Sequence, residues 1–183
     1  AIVGPNEELV SRGELLSKAN KLTHALRDLG LKKFDTVAVV LPNSVEYFVV
    51  YMACLQAGFY LVPINWHLAG PEIAYILEDS EAKAFIASGK NPDMEKACIN
   101  AVSEISFDKK GCITIDELEG FRHIDDFTKS MPDENPHDRS AGQVMNYTSG
   151  TTGKPKGVKR NLVEGDPDNV LSFDISMSYD PSQ

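Results

Sequence analysis

From residue 11 to about residue 105, amphipathic helical stretches alternate with short β-branched apolar runs, with few residues between them. No other feature restricts the fold as much. When a strand, a helix and a second strand are joined tightly, the second strand returns parallel to the first through a right-handed crossover. Repetition of that unit predicts an α/β fold, a largely parallel sheet with flanking helices.

The helices are marked at their ends. Ser11 and Glu14 stand at the spacing of a capping box, in which each side chain satisfies the other's orphan amide. Leu15, Ala19, Leu22, Leu26 and Leu29 then predict one buried helical face, and Gly30 its end. Residues 36–41 read as a buried strand. Asn43 and Glu46 predict the cap of a second helix, with Val45, Phe48, Met52 and Leu55 on its buried face. Residues 59–64 read as another strand, and Gly70-Pro71-Glu72 opens a third helix with proline where no amide partner is lost. Residues 83–87 form a further strand, and Asn91-Pro92-Asp93 starts a fourth helix. The apolar stretch 47–62 is broken by Gln56 and Gly58, short of the ~20 residues a spanning helix needs, so it reads as helix, turn and strand.

A chain of 183 residues with 42% hydrophobic residues is neither disordered nor collagen-like. At this length folding removes roughly 70% of the unfolded surface from water, enough for a substantial core. The net charge of −9 and a pI near 4.9 argue against a nucleic-acid partner, which needs a basic face. The charge is uneven. Residues 72–138 hold sixteen acids against seven bases, whereas Lys154, Lys156, Lys159 and Arg160 cluster with no acid among them. A local basic spot on an acidic chain suggests an anion site. Cys54, Cys98 and Cys112 make no CxxC pair and no even-numbered disulfide framework. With no basic, apolar leader at residue 1, the expectation is a cytoplasmic protein without a transmembrane segment.

Several weaker signals have ordinary readings. Residues 106–117 resemble half of an EF-hand loop, but Ser106 replaces the first aspartate and Lys110 sits at a ligand position. A lysine there opposes calcium, so the stretch reads as a turn before a short strand at 112–115. His24, His123 and His137 share no ligand spacing, and no metal site is expected. Trp66 and His67 follow a strand, where packing and a capping contact explain them better than catalysis.

The chemistry concentrates at 147–157, Tyr-Thr-Ser-Gly-Thr-Thr-Gly-Lys-Pro-Lys-Gly, at the end of a strand expected over 143–148. Glycines let backbone amides approach an anion closely, while Thr148, Ser149, Thr151 and Thr152 offer hydroxyls and Lys154 and Lys156 offer charge. A loop leaving a parallel strand lies where α/β sheets bind ligands. It is no Walker A loop, because Pro155 follows Lys154.

This stretch resembles the signature phosphate-binding motif of the adenylate-forming superfamily: acyl-CoA synthetases, luciferases and peptide-synthetase adenylation domains. The run 29–80 resembles the family's upstream part in order and spacing, so the likeness covers about residues 11–160. The resemblance implies an incomplete N-terminal domain of an AMP-forming ligase, a third or so of a typical member. Its organisation would be an N-terminal subdomain over 1–142, with an irregular acidic connection over about 116–142. A strand and phosphate loop would follow over 143–160, and then an unplaced tail over 161–183. The implied reaction joins a carboxylic acid, fatty by resemblance, to coenzyme A through an acyl-adenylate, using ATP and Mg²⁺. Carried over residue by residue, Thr148, Ser149, Thr151 and Thr152 are hydroxyl donors, Gly150 and Gly153 are backbone contacts, and Lys156 is a charge partner. Lys154 is a peripheral member of the same set. The segment Val62-Pro63-Ile64-Asn65-Trp66-His67-Leu68 and the Thr151-Thr152 pair resemble bacterial fatty-acyl-CoA synthetases more than peptide synthetases.

The family's magnesium glutamate, ribose aspartate, acyl pocket and catalytic lysine have no match after Arg160, and no histidine precedes Lys159-Arg160-Asn161. Catalytic residues are therefore expected downstream, and this chain alone is expected to be inactive. The alternative is a non-catalytic nucleotide- or protein-binding module derived from such an enzyme. The acyl group and the oligomeric state stay open.

Overall fold

The computed structural model describes residues 2–4, 9–148, 154–163 and 165–170. A small antiparallel pair, β1 (Ile2–Val3) and β2 (Leu9–Val10), leads into α1 (Arg12–Asp28). The expected α/β alternation follows: β3 (Thr36–Val40), α2 (Val45–Ala57), β4 (Tyr60–Pro63), α3 (Gly70–Asp79), β5 (Ala82–Ala87) and α4 (Pro92–Glu104). A 3₁₀ turn at Lys109–Gly111, capped by Asp108, precedes β6 (Cys112–Thr114), so the EF-hand look-alike is the turn and strand its sequence suggests. The acidic stretch 116–142 holds two regular elements that its composition does not predict, β7 (Arg122–His123) and α5 (Ile124–Thr128). His123 caps that helix, its Nδ1 accepting from the Asp125 amide at 3.2 Å. Then come β8 (Gln143–Val144), β9 (Asn146–Thr148) and β10 (Lys156–Val158).

Six strands make one parallel sheet in the order β7-β6-β5-β3-β4-β8. The connection after β3 moves outward to β4, and the next returns across β3 to β5. Right-handed crossovers of opposite direction must run on opposite faces. Accordingly α1, α2 and α5 cover one side, over Val37, Val39, Leu61, Ile86 and Ile113. On the other side α3 and α4 cover Ala38, Val40, Tyr60, Val62 and Phe85. β3 lies between the layers with all five residues buried, which is why its sequence is a continuous apolar run.

Local capping follows its chemistry with one shift. Ser11 and Glu14 form the capping box, and Asn91 caps α4. At α2, however, Ser44 rather than Asn43 accepts the Tyr47 amide, at 3.2 Å. The buried face of α2 also differs from expectation. Val45 and Leu55 are buried, but Phe48 is 50% exposed and the inward line runs through Val49, Val50, Ala53, Cys54 and Ala57. Residues 45–55 are apolar at nearly every position, so their periodicity carries no phase.

The strand expected over 143–148 divides at Met145. Phe59 and Leu61 accept from Gln143 and Met145 across the β4–β8 ladder, while Ile64 donates to Val39 on the other side. By that alternation Pro63 occupies the next position facing β8, and it has no amide to donate. The ladder stops there, and β9 pairs antiparallel with β10 instead. All three cysteines are free and buried. Among the described residues no helix is long and apolar enough to cross a membrane.

Candidate functional site

The hairpin of β9 and β10 leaves the sheet beyond the C-terminal end of edge strand β8, where parallel strands present their loops. Its register pairs Thr148 with Lys156, Tyr147 with Gly157 and Asn146 with Val158. Directly paired residues project to the same side. Thr148 and Lys156, both exposed, therefore stand together at the neck of the intervening loop. Of the remaining expected site residues, Lys154 lies at the loop's returning end. Ser149, Gly150, Thr151, Thr152 and Gly153 lie outside the described residues.

The opposite side of the hairpin faces α3. The Tyr147 hydroxyl donates to Asp79 Oδ2 at 2.6 Å. Burial, followed by the Asp79 carboxylate that accepts its proton, pushes this hydroxyl well above the usual tyrosine range. Tyr75 donates to the Pro155 carbonyl at 3.1 Å, with Asp79 Oδ1 a more distant 3.5 Å away. One hydroxyl has one proton, so the shorter contact is the donated bond. Gly157 makes the arrangement possible: a Cβ there would meet the Tyr147 ring at 3.0 Å and press on Met145 Cε.

The basic spot is divided by aromatic rings. Lys154 Nζ lies 4.8 Å from the Tyr75 ring centroid, and Lys159 Nζ 4.7 Å from that of Tyr60. Both distances permit cation–π attraction. The Tyr60 hydroxyl also donates to the Arg160 carbonyl at 2.6 Å, tying the chain after β10 to the sheet. Lys156 has no acidic partner among the described residues. It is the cation of the cluster set beside Thr148, whereas Lys154 and Lys159 rest on tyrosines.

Sequence reasoning did not find Tyr60, Tyr75 or Asp79. Tyr75 and Asp79 are four apart and share a helix face, which marks them as mutual neighbours. Nothing local connects them to residue 147. Trp66 and His67 stack on one another, with ring centroids 3.5 Å apart, and the His67 amide donates to Asn65 Oδ1. Packing and a turn contact account for both.

The chain matches the family described as AMP-binding enzyme over residues 1–162. It belongs to that family. It is 32% identical over 162 residues to the long-chain-fatty-acid–CoA ligase FadD13 of Mycobacterium tuberculosis, a match covering 86% of this chain and 31% of that protein. It is 34% identical over 152 residues to the fatty acid–[acyl-carrier-protein] ligase ScoC of Streptomyces coeruleorubidus, covering 79% of this chain and 27% of ScoC. Among solved structures, the anthranilate CoA ligase AuaEII in complex with anthranoyl-AMP superimposes with a TM-score of 0.68 at 26% identity, over 84% of this chain and 30% of that one. The chain thus spans about a third of the length of the curated relatives it matches. All three are named as ligases of an acid, two to coenzyme A and one to acyl-carrier protein.

Proposed function

We propose that these residues form the phosphate-cradling part of an AMP-forming acid–thiol ligase, which activates a carboxylic acid, a fatty acid by resemblance to FadD13 and ScoC, and passes it to coenzyme A. The observation that carries this reading is the hairpin neck: Thr148 and an acid-free Lys156 side by side beyond the end of a parallel sheet. Together with the hydroxyls and amides of Ser149 to Gly153, this set has the chemistry to take the β- and γ-phosphates of ATP, supplied as its Mg²⁺ complex.

In such a reaction the substrate carboxylate forms a bond to the α-phosphorus of ATP, and the bond from that phosphorus to the bridging oxygen of pyrophosphate breaks. Negative charge grows on the leaving pyrophosphate. Donors held around it strengthen as the charge develops and so lower the barrier. Lys156 supplies a positive charge and Thr148 a hydroxyl. Lys154, over the Tyr75 ring, is peripheral to the phosphate. The groups that hold the acid, ribose and thiol lie outside these residues, so the 183-residue chain by itself does not turn over. FadD13 and related names favour a coenzyme A acceptor, with an acyl-carrier thiol as the other class within the same chemistry.

ATP–pyrophosphate exchange with a panel of carboxylic acids tests the reading on the whole protein. Acid-dependent exchange, reduced about a hundredfold or more by Lys156→Ala, is expected from loss of one transition-state charge contact. Robust exchange by the 183-residue chain alone would overturn the division of labour. ATP binding without any acid-dependent exchange by the whole protein would favour a non-catalytic nucleotide-binding module.

A further inference from the structure

The hairpin that carries the loop is gripped on both arms by one turn of one helix. On the outgoing arm the Tyr147 hydroxyl reaches Asp79 at 2.6 Å, and on the returning arm the Pro155 carbonyl receives the Tyr75 hydroxyl at 3.1 Å. Tyr75 and Asp79 are four residues apart on α3, so a fixed helical spacing separates the two grips. Lys154 lies over the Tyr75 ring, adding a hold on the same arm.

The geometry points to Tyr75 and Asp79, with Tyr147, as positioning residues that fix how the hairpin stands against α3 and thereby present Thr148 and Lys156 to a polyphosphate. This inference rests on the phosphate-cradle reading above. None of the three touches phosphate through its clasping atom, because those atoms lie on the face of the hairpin opposite Thr148 and Lys156. A two-stranded hairpin is marginal by itself in water. Without the clasp it would keep its sequence and lose its fixed approach angle. The contacts are also specific in chemistry: phenylalanine at 147 keeps the ring over Gly157 and loses only the grip on Asp79.

The test uses the 183-residue chain and three variants, Tyr147→Phe, Asp79→Ala and Asp79→Asn. Amide hydrogen exchange over the two hairpin arms is measured beside the chemical-shift response of the Thr148 and Lys156 amides to ATP and to inorganic tripolyphosphate. Loss of one charge-assisted hydrogen bond is expected to speed hairpin exchange and to weaken both ligands, each about tenfold, in Tyr147→Phe and Asp79→Ala. Exchange in α1 and β3 should stay unchanged. Asp79→Asn keeps an acceptor oxygen and is expected to recover most of both effects. Unchanged hairpin exchange in Tyr147→Phe and Asp79→Ala would overturn the clasp. Faster exchange with unaltered ligand affinity would make it structural only and overturn the positioning role. If the wild-type chain binds neither ATP nor tripolyphosphate, the phosphate-cradle reading fails and this inference with it, whatever the exchange data show.

Discussion

Gln56→Met isolates one buried polar contact between α1 and α2. Gln56 Nε2 donates to Asn20 Oδ1 at 3.0 Å and to Thr23 Oγ1 at 2.9 Å, and the three residues are 5%, 2% and 0% exposed. Asn20 in turn donates to the Asp133 carbonyl and to Asn135 Oδ1, so the network ties both helices to the connection before β8. Methionine is close to glutamine in volume, which keeps the cavity contribution small. The substitution removes the described donor to Asn20 Oδ1. Thr23 fares better, because its hydroxyl still donates to the Ala19 carbonyl. One orphaned buried acceptor costs about 1–3 kcal/mol. For a chain of this size, ~2 kcal/mol corresponds to a Tm lowered by roughly 4–8 °C.

Urea unfolding followed by circular dichroism reads the change directly, with a lower midpoint and an unchanged slope. Adding Asn20→Leu should show coupling of about 1 kcal/mol or more in a double-mutant cycle, since the two side chains share one hydrogen bond. A Gln56→Met protein within about 0.5 kcal/mol of wild type would refute the reasoning. So would strictly additive effects of the two substitutions.

Three further outcomes are expected. Phe85 is fully buried with Phe107 and Phe121 packed edge-on at 6.4 and 5.9 Å, so Phe85→Ala should cost about 3–5 kcal/mol in the same unfolding assay. Burial pushes the thiols of Cys98 and Cys112 up to about 12 and about 11, so both stay protonated near pH 8 and alkylating reagents should label them only after denaturant is added. The Glu14 carboxyl is held below its ordinary value chiefly by the Ser11 amide that it accepts from. Its contribution to stability is therefore present above the unfolded pKa near ~4.3 and fades as pH falls through the lowered folded value. Unfolding midpoints of Glu14→Gln measured from pH 7 down to 3 should show a smaller acid loss than wild type.

Signals that act over a few residues are legible in the sequence. Ser11 with Glu14 and Asn91 before Pro92 mark helix starts because a cap binds amides only two or three positions away. The run at 36–40 marks a central strand because burial on both faces removes the need for polar alternation. The expectation of an anion site at 148–156 comes from composition alone, since glycines, hydroxyls and lysines at that density suit an anion. By contrast, α2 gives no clue to its inward face, because Phe48 and Val49 are equally apolar and only the position of α1 decides between them. The division of 143–148 depends on Pro63, eighty residues earlier, lacking an amide on the side where β8 docks.

The sequence by itself thus determined the alternating helices and strands between residues 11 and 105 and that the sheet is largely parallel. Tertiary structure alone decided the strand order β7-β6-β5-β3-β4-β8, and it alone placed Lys156 beside Thr148 with Tyr147 against Asp79. The reason is range. Periodicity, capping and turn chemistry are settled between near neighbours along the chain. A partner 68 residues away is chosen only when the packed layers bring two side chains to the same place.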